Sequence, residues 1–202
     1  MKLFSILALL KAIQKLIGKP DMQTSFKILQ LNLPVNPNYS KNRPWGKRSE
    51  SDISKIIVHQ ELGNGTTEQV HRYHISPESH IKPGLGAPKI AYHFTIEKDG
   101  TIYQVNELSD ITWHCSGQNL ISVGIMLVGN YDGPSHTGSD REPPKIQLDA
   151  LKFLLFELLQ RLKLNEDNVF VHANFGKVNC PGIAVTKFVT EFRSGLYSEN
   201  RI

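Results

Sequence analysis

From residue 54 onward, the chain alternates short apolar runs with longer amphipathic segments. The apolar runs are rich in β-branched residues and too short for helices, which predicts buried strands. They cover residues 55–59, 123–130 and 168–172. Residues 90–105 alternate apolar and polar side chains around an Asp-Gly pair, a pattern that predicts a β-hairpin.

Two segments have the hydrophobic period of an α-helix. The first covers residues 66–75, with Thr66 or Thr67 as its N-cap. In the second, residues 146–164, leucines recur at spacings of three and four: Leu151, Leu154, Leu155, Leu158, Leu159 and Leu162. The alternation of strands and helices predicts an α/β domain over residues 54–202, with a mixed central β-sheet flanked by helices.

A separate amphipathic segment, residues 2–17, precedes this domain. On a helix, one face of the segment is apolar and the opposite face carries lysines. Gly18 and Pro20 end it, which defines an N-terminal unit over residues 1–20. The apolar face consists of Leu3, Ile6, Leu9, Leu10, Ile13, Leu16 and Ile17, and the basic face of Lys11, Lys15 and Lys19.

Three interpretations of this unit are open. It is a basic helix that lies on an anionic membrane, an export signal without a recognisable cleavage site, or a helix packed on the main domain. Residues 21–53, between the unit and the domain, are rich in Asn, Pro and Ser and lack a hydrophobic period, which predicts a linker or surface arm. Trp45 is the one residue of this arm suited to anchor it.

Positive charge is concentrated at the N-terminal end of the chain. The 202 residues include 23 Lys and Arg against 19 Asp and Glu, a net charge of +4. Residues 1–50 hold nine of the bases and two of the acids, a net charge of +7; the other 14 bases and 17 acids give −3. This asymmetry predicts contact with an anionic membrane or cell wall. We expect no nucleic-acid partner, because the sequence has neither a basic patch interleaved with aromatic residues nor zinc-finger spacing.

The composition excludes several other classes of protein. Apolar residues make up 40% of the chain, which excludes wholesale disorder. Two cysteines, Cys115 and Cys180, are too few for a disulfide scaffold. No apolar run reaches the roughly 18 residues that a membrane-spanning helix needs.

Four of the eight histidines, His59, His93, His114 and His172, lie at or near predicted strand ends, where α/β proteins build their sites. His172 is followed in the next loop by Cys180, Pro181 and Gly182. With His59 as the natural third ligand, two imidazoles and a thiolate would form a tetrahedral zinc site with one open position, as catalytic zinc requires. The alternative is that these residues are buried separately.

Six motifs occur in an order typical of one family. They are IIVHQ (56–60), AYHFTIEKDGTIYQ (91–104), WHCSGQN (113–119), SVGIMLVGNY (122–131), the helix start QLDALKFLL (147–155) and VHANFGKVNCPG (171–182). Together they resemble the zinc-dependent N-acetylmuramoyl-L-alanine amidases, a family that includes phage lysozyme amidases and peptidoglycan recognition proteins. The resemblance covers residues 54 to about 193 and leaves out the first 50.

The resemblance implies one zinc ion per chain, held by His59, His172 and Cys180. It also implies that Tyr92 lies beside the zinc. His114 matches a histidine of the family that either supports the ligands or faces the substrate, and Asn119 matches a residue of the substrate groove. Trp113 is suited to stack on a sugar ring, although a role in the core is equally compatible with its position.

Two positions depart from the family pattern. A related branch has a glutamate where this chain has Met126, so that general base is absent. A second branch has a lysine two residues before the cysteine, where this chain has Val178, and Lys177 stands three residues before it. Tyr92 and Lys177 are therefore the expected catalytic donors, together with His114.

The implied function is zinc-dependent hydrolysis of the amide bond between N-acetylmuramic acid and L-alanine in peptidoglycan. The protein would act on the bacterial cell wall, as a periplasmic, extracellular or phage-released enzyme of the endolysin kind. Two alternatives are open: a module that recognises peptidoglycan without cutting it, and a lytic protein whose N-terminal helix disrupts membranes. The presence of Cys180 favours the enzyme, because non-enzymatic relatives typically lack this ligand.

We predict that a peptide of residues 2–17 binds vesicles of anionic lipid, because its lysines attract the lipid phosphates. Binding should weaken as salt is raised, because exposed charges are screened. Because residues 2–17 contain no tryptophan to serve as a fluorescent probe, co-sedimentation of the peptide with the vesicles measures both effects. A peptide that stays in solution with anionic vesicles at low salt would refute the membrane interpretation.

Overall fold

The computed structural model describes residues 26–42, 44–132 and 140–197. The N-terminal unit of residues 1–20 lies outside the described residues, so its helix and its contact with a membrane stay predictions. None of the helices in the described ranges is long and apolar enough to cross a membrane.

Within the described ranges, the chain forms eight strands, three α-helices and three short 3₁₀-helices. The strands are β1 (Ile28–Gln30), β2 (Gly46–Lys47), β3 (Lys55–Gln60), β4 (Phe94–Ile96), β5 (Ile102–Gln104), β6 (Asp110–Ile111), β7 (Ser122–Leu127) and β8 (Val169–Val171). The α-helices are α1 (Thr67–Ile75), α2 (Lys145–Leu162) and α3 (Ile183–Arg193). The 3₁₀-helices are Glu50–Asp52, Glu166–Asn168 and His172–Phe175.

Six strands form the main sheet, in the order β1-β5-β4-β7-β3-β8. Strands β4 and β5 are antiparallel, as the predicted hairpin requires, and the other neighbours run parallel. Strands β2 and β6 form a separate two-stranded sheet. The predicted fold class, a mixed central sheet flanked by helices, is confirmed.

The sheet has a core on each face, because side chains alternate along a strand. Ile56 and Val58 of β3 join the larger cluster, which includes the buried leucines of α2 and the apolar residues of α3. Met126 of β7 joins a smaller cluster on the other face, with Val70 of α1. His59 is paired with Met126 in the parallel register of β3 and β7, so it lies on the face of the smaller cluster.

The two helices predicted within the domain are confirmed, and the structure adds one. A capping box between Thr66 and Gln69 begins α1, so Thr66 is the N-cap. Helix α2 ends at Lys163, which has a left-handed conformation with φ of 55°. Helix α3 was not predicted from the sequence, although its buried residues also follow the helical period: Val185, Phe188, Val189 and Phe192.

The described part of the predicted arm belongs to the domain. Strand β1 extends the main sheet by pairing with β5. Trp45 is 2% exposed and its Nε1–H donates to Asn106 Oδ1 at 2.9 Å. Asn36 is 1% exposed and bonds to the backbone of the loop after α1. The described arm therefore packs on the domain upstream of residue 54, because hydrogen bonds, the buried Trp45 and partly buried apolar residues such as Phe26 and Ile28 anchor it without a hydrophobic period.

Candidate metal centre

Three side chains that could hold a metal ion meet at the C-terminal ends of β3 and β8. His59 lies near the end of β3, His172 follows β8, and Cys180 lies in the loop that leads to α3. The Nδ1 atoms of His59 and His172 are 3.0 Å apart, and Cys180 Sγ lies 4.0 Å from His59 Nδ1. All three donor atoms lie within 4.8 Å of one another, which is close enough to share one ion.

The chemistry of this set fits a zinc ion. Zinc takes imidazole nitrogen and thiolate sulfur in tetrahedral sites, and three protein ligands leave one position open. Burial and the neighbouring His114 and His172 hold the pKa of His59 well below its usual value. Burial, with a smaller effect of Lys177, lowers the pKa of His172 to about 4. Both imidazoles are therefore neutral at pH 7, as metal binding requires.

The shift in the pKa of Cys180 favours its protonated form, unlike the shifts of the two imidazoles. Burial raises the pKa of its thiol to about 12, against a weaker opposing effect of the Gln60 backbone N–H. That N–H donates to Cys180 Sγ at 3.5 Å. The thiol is therefore protonated at neutral pH, and a divalent cation must displace its proton to bind.

A chain of hydrogen bonds behind His59 fixes the orientation of its ring. Ser122 Oγ–H donates to the Gln118 carbonyl at 2.7 Å, so Ser122 Oγ accepts from His114 Nε2–H at 3.1 Å. His114 Nδ1 is then the acceptor for His59 Nε2–H, at 3.1 Å. These assignments leave the lone pair of His59 Nδ1 directed toward His172 and Cys180.

Gly124 makes room for this chain. A Cβ atom at this position of β7 would lie 2.5 Å from the His114 ring. Glycine weakens the interior of a strand, so its presence in the centre of β7 calls for a reason. The close approach of the His114 imidazole supplies that reason. The glycine of the SVGIML motif therefore marks the point where the His114 ring packs against β7.

A cavity of about 380 Å³ opens onto His172 and Cys180. Tyr92 and Lys177 also line it. The Tyr92 ring centroid lies 5.1 Å from that of His59. Burial, followed by the effect of Cys180, raises the pKa of Tyr92 above its usual value, so its hydroxyl keeps its proton. Lys177 is exposed on the wall of the cavity.

Three other residues predicted for the site do not line this cavity. His114 is 6% exposed and lies behind His59. Trp113 packs edge-on against Trp45, with ring centroids 5.3 Å apart. Asn119 uses its side-chain oxygen to accept from the Cys115 N–H at 2.8 Å. Contacts of these three residues with a substrate stay predictions.

Gln60, Glu61 and His80 are three of the cavity residues that the sequence analysis did not select. Gln60 donates to the Asn179 carbonyl at 2.7 Å and accepts from the Tyr131 N–H, so it ties the Cys180 loop to β3. The carboxylate of Glu61 accepts backbone N–H groups at 2.8 and 3.1 Å, from Gly65 and Gly129. His80 lies in the loop after α1. Gln60 and Glu61 directly follow His59, so their positions in the sequence could have indicated that they lie at the site. Nothing in the Pro- and Gly-rich loop distinguished His80.

Comparisons with known proteins agree on one family. The model of a family described as N-acetylmuramoyl-L-alanine amidase matches residues 49–183. Peptidoglycan-recognition protein SC2 of Drosophila melanogaster is 25% identical over 155 residues, which cover 68% of this chain and 77% of that protein. An endolysin of Klebsiella phage KP32 is 26% identical over 146 residues, which cover 70% of this chain and 87% of that protein.

Solved structures share the fold. The N-acetylmuramoyl-L-alanine amidase LysC from Clostridium intestinale superposes with a TM-score of 0.62 at 22% identity, covering 84% of this chain and 97% of that chain. Drosophila peptidoglycan recognition protein SD gives a TM-score of 0.62 at 18% identity, covering 82% of this chain and 95% of that chain.

We predict that the apparent affinity for Zn²⁺ rises about tenfold per pH unit between about pH 5.5 and 8, because one proton leaves Cys180 when the metal binds. The imidazoles contribute little to this slope, since the pKa of His172 is about 4 and that of His59 is also low. Competition with a chromophoric chelator measures the affinity at each pH.

Two cysteine variants separate the source of the slope. Cys180→Ser should bind Zn²⁺ more weakly and with a flatter pH profile, whereas Cys115→Ala, which removes the other free thiol, should keep the wild-type slope. A flat profile in the wild-type protein would show that Cys180 gives up no proton to the metal.

Proposed function

Because the chain belongs to the N-acetylmuramoyl-L-alanine amidase family, we propose that it hydrolyses the amide bond between N-acetylmuramic acid and L-alanine in peptidoglycan, using one zinc ion. The observation that carries the proposal is the convergence of His59, His172 and Cys180 beside a cavity. Peptidoglycan is the substrate class of the family, and the protein would act on the bacterial cell wall.

The residues that would hold zinc are His59 and His172, through Nδ1, and Cys180, through Sγ. Zinc bound by such a set lowers the pKa of a bound water to about 7 and polarises a carbonyl oxygen. The hydrogen-bonded chain from His59 through His114 to Ser122 supports the ligand from behind. His114 therefore acts in this proposal as a positioning residue.

Tyr92 is suited to donate a hydrogen bond to the oxygen of the scissile amide. Its hydroxyl stays protonated, because burial raises its pKa, and its ring lies beside that of His59. Donors placed where negative charge develops are among the largest contributors to catalysis. Lys177, on the cavity wall, supplies a second donor and can give a proton to the leaving amine.

The cavity offers no free carboxylate as a general base among its described lining residues. Met126 is fully buried in the smaller core cluster, where a related branch of the family carries a glutamate. Glu61 lines the cavity, but both of its oxygens accept backbone N–H groups. The water would therefore be activated by binding to zinc, and Tyr92 and Lys177 would be the groups that donate protons.

Recognition without cleavage is the second candidate function, since peptidoglycan-recognition proteins are among the relatives. The complete set of two imidazoles and a thiol favours hydrolysis. Contact of residues 2–17 with an anionic membrane would add a means of delivery to the same substrate, and disruption of the membrane by this segment would make the protein lytic in a second way.

Digestion of purified peptidoglycan tests the proposed function. We expect new amino termini on L-alanine, about one zinc per purified chain, and loss of turnover after treatment with a strong chelator. His59→Ala, His172→Ala and Cys180→Ala should each abolish turnover, and Cys115→Ala is the matched control. Binding to peptidoglycan without release of new termini would identify a recognition module instead, and full activity without metal would refute the zinc assignment.

We predict that Tyr92→Phe and Lys177→Ala each lower kcat by about 10²–10³, because each removes one donor used in the transition state. The KM, zinc content and unfolding temperature should stay near those of the wild type. Tyr103→Phe, a half-buried tyrosine of β5 outside the cavity lining, is the control.

These two substitutions have separate outcomes. Wild-type kcat in Tyr92→Phe would show that the assignment of Tyr92 is wrong. A silent Lys177→Ala beside an impaired Tyr92→Phe would show that the one-residue displacement of Lys177 has taken it out of the site.

A further inference from the structure

The loop between α1 and β4 forms part of the cavity wall through His80. Lys177 lines the same cavity, and its positive charge contributes, after burial, to a lowered pKa of His80. His80 is exposed, unlike the metal-binding histidines, and its loop follows the helix directly. The proposed mechanism gives no role to this side chain.

The N-terminal arm holds this loop in place. Asn36 Nδ2 donates to the carbonyls of Ile75, Leu85 and Ala87, at 2.9 to 3.1 Å. The Tyr39 hydroxyl donates to the Gly86 carbonyl at 3.0 Å. These bonds give partners to backbone carbonyls that lie outside helices and strands, and they fix the loop at several points.

Tyr73 of α1 orients the His80 ring. The Tyr73 hydroxyl accepts the backbone N–H of His80 at 3.2 Å and lies 3.1 Å from His80 Nδ1. We assign the hydroxyl hydrogen to a bond with Nδ1, which places the ring proton of His80 on Nε2. The Nε2–H group is then available to a partner outside the described residues.

Two side chains of the cavity wall, His80 and Lys177, offer donors rather than acceptors. Lys177 has only donors, and His80 uses its acceptor on Tyr73. Each oxygen of the Glu61 carboxylate, which also lines the cavity, already accepts one backbone N–H group. An acceptor with negative charge is the group that His80 and Lys177 bind best, because hydrogen bonds to ionised acceptors are the stronger ones.

We propose that His80 donates through Nε2–H to a carboxylate of the peptide stem, with the Lys177 ammonium adding electrostatic attraction, so that the loop after α1 selects acidic stem peptides. This inference rests on the proposed amidase function and names a specificity residue for it. Tyr73 and Asn36 are positioning residues, since they act on the substrate only through His80 and its loop.

Two synthetic muramoyl peptides test the inference. They differ at one carboxyl group next to the L-alanine residue, which is a free acid in one and a primary amide in the other. The wild-type protein, with zinc bound, should show a KM about tenfold lower for the acid, the size expected for a hydrogen bond to a charged group. His80→Ala should raise the KM for the acid about tenfold and remove the preference.

Conservative and control variants separate recognition from a general effect on structure. His80→Gln should recover part of the preference, because its amide nitrogen can take the place of Nε2. Asn36→Ala should weaken the preference in the same direction without loss of zinc. Glu78→Ala changes an exposed residue of the same loop outside the cavity lining and should behave as the wild type.

The outcomes distinguish this inference from the function on which it rests. Equal KM values of the wild type for acid and amide, or a loss in His80→Ala confined to kcat, would overturn the role of His80 while the amidase activity stands. If the wild type cleaves neither peptide nor peptidoglycan, the proposed function fails, and the inference fails with it.

Discussion

The parallel pairing of β3 with β7 and β8 is the constraint on which the site depends. It aligns the C-terminal ends of three strands, so that His59 at one strand end meets His172 just after another. Cys180 reaches the same point because Gln60, the residue after His59, holds the neighbouring loop through Asn179. The three candidate ligands are thus positioned by the backbone of the sheet and by one amide side chain.

The same pairing places the polar imidazole rings of His59 and His114 in the interior of the protein. Burying imidazoles is favourable only when their nitrogens have partners, and the row from His59 through His114 to Ser122 satisfies this requirement. The row also determines which nitrogen of His59 faces the cavity. Gly124 gives it space, so a sequence feature that weakens the strand serves the orientation of a ligand.

The sequence predicted the parts of the fold that depend on hydrophobic period. The three buried strands, the hairpin and the helices α1 and α2 follow from apolar spacing, and the proximity of His59, His172 and Cys180 followed from strand ends and from resemblance. The arm was harder to predict, because Asn36 and Trp45 anchor it through contacts with residues far along the chain. The loop that carries His80 is bonded to that arm, and no local sequence pattern encodes such a contact.

The long sequence separations within the metal centre have a consequence for biosynthesis. His59 is 113 residues from His172 and 121 from Cys180. A growing chain therefore lacks the complete group of three side chains until Cys180 has been translated and has emerged from the ribosome. Contacts between such distant residues also form slowly, since a long loop must close first. A nascent chain, or one that terminates before Cys180, therefore cannot assemble this group of three side chains.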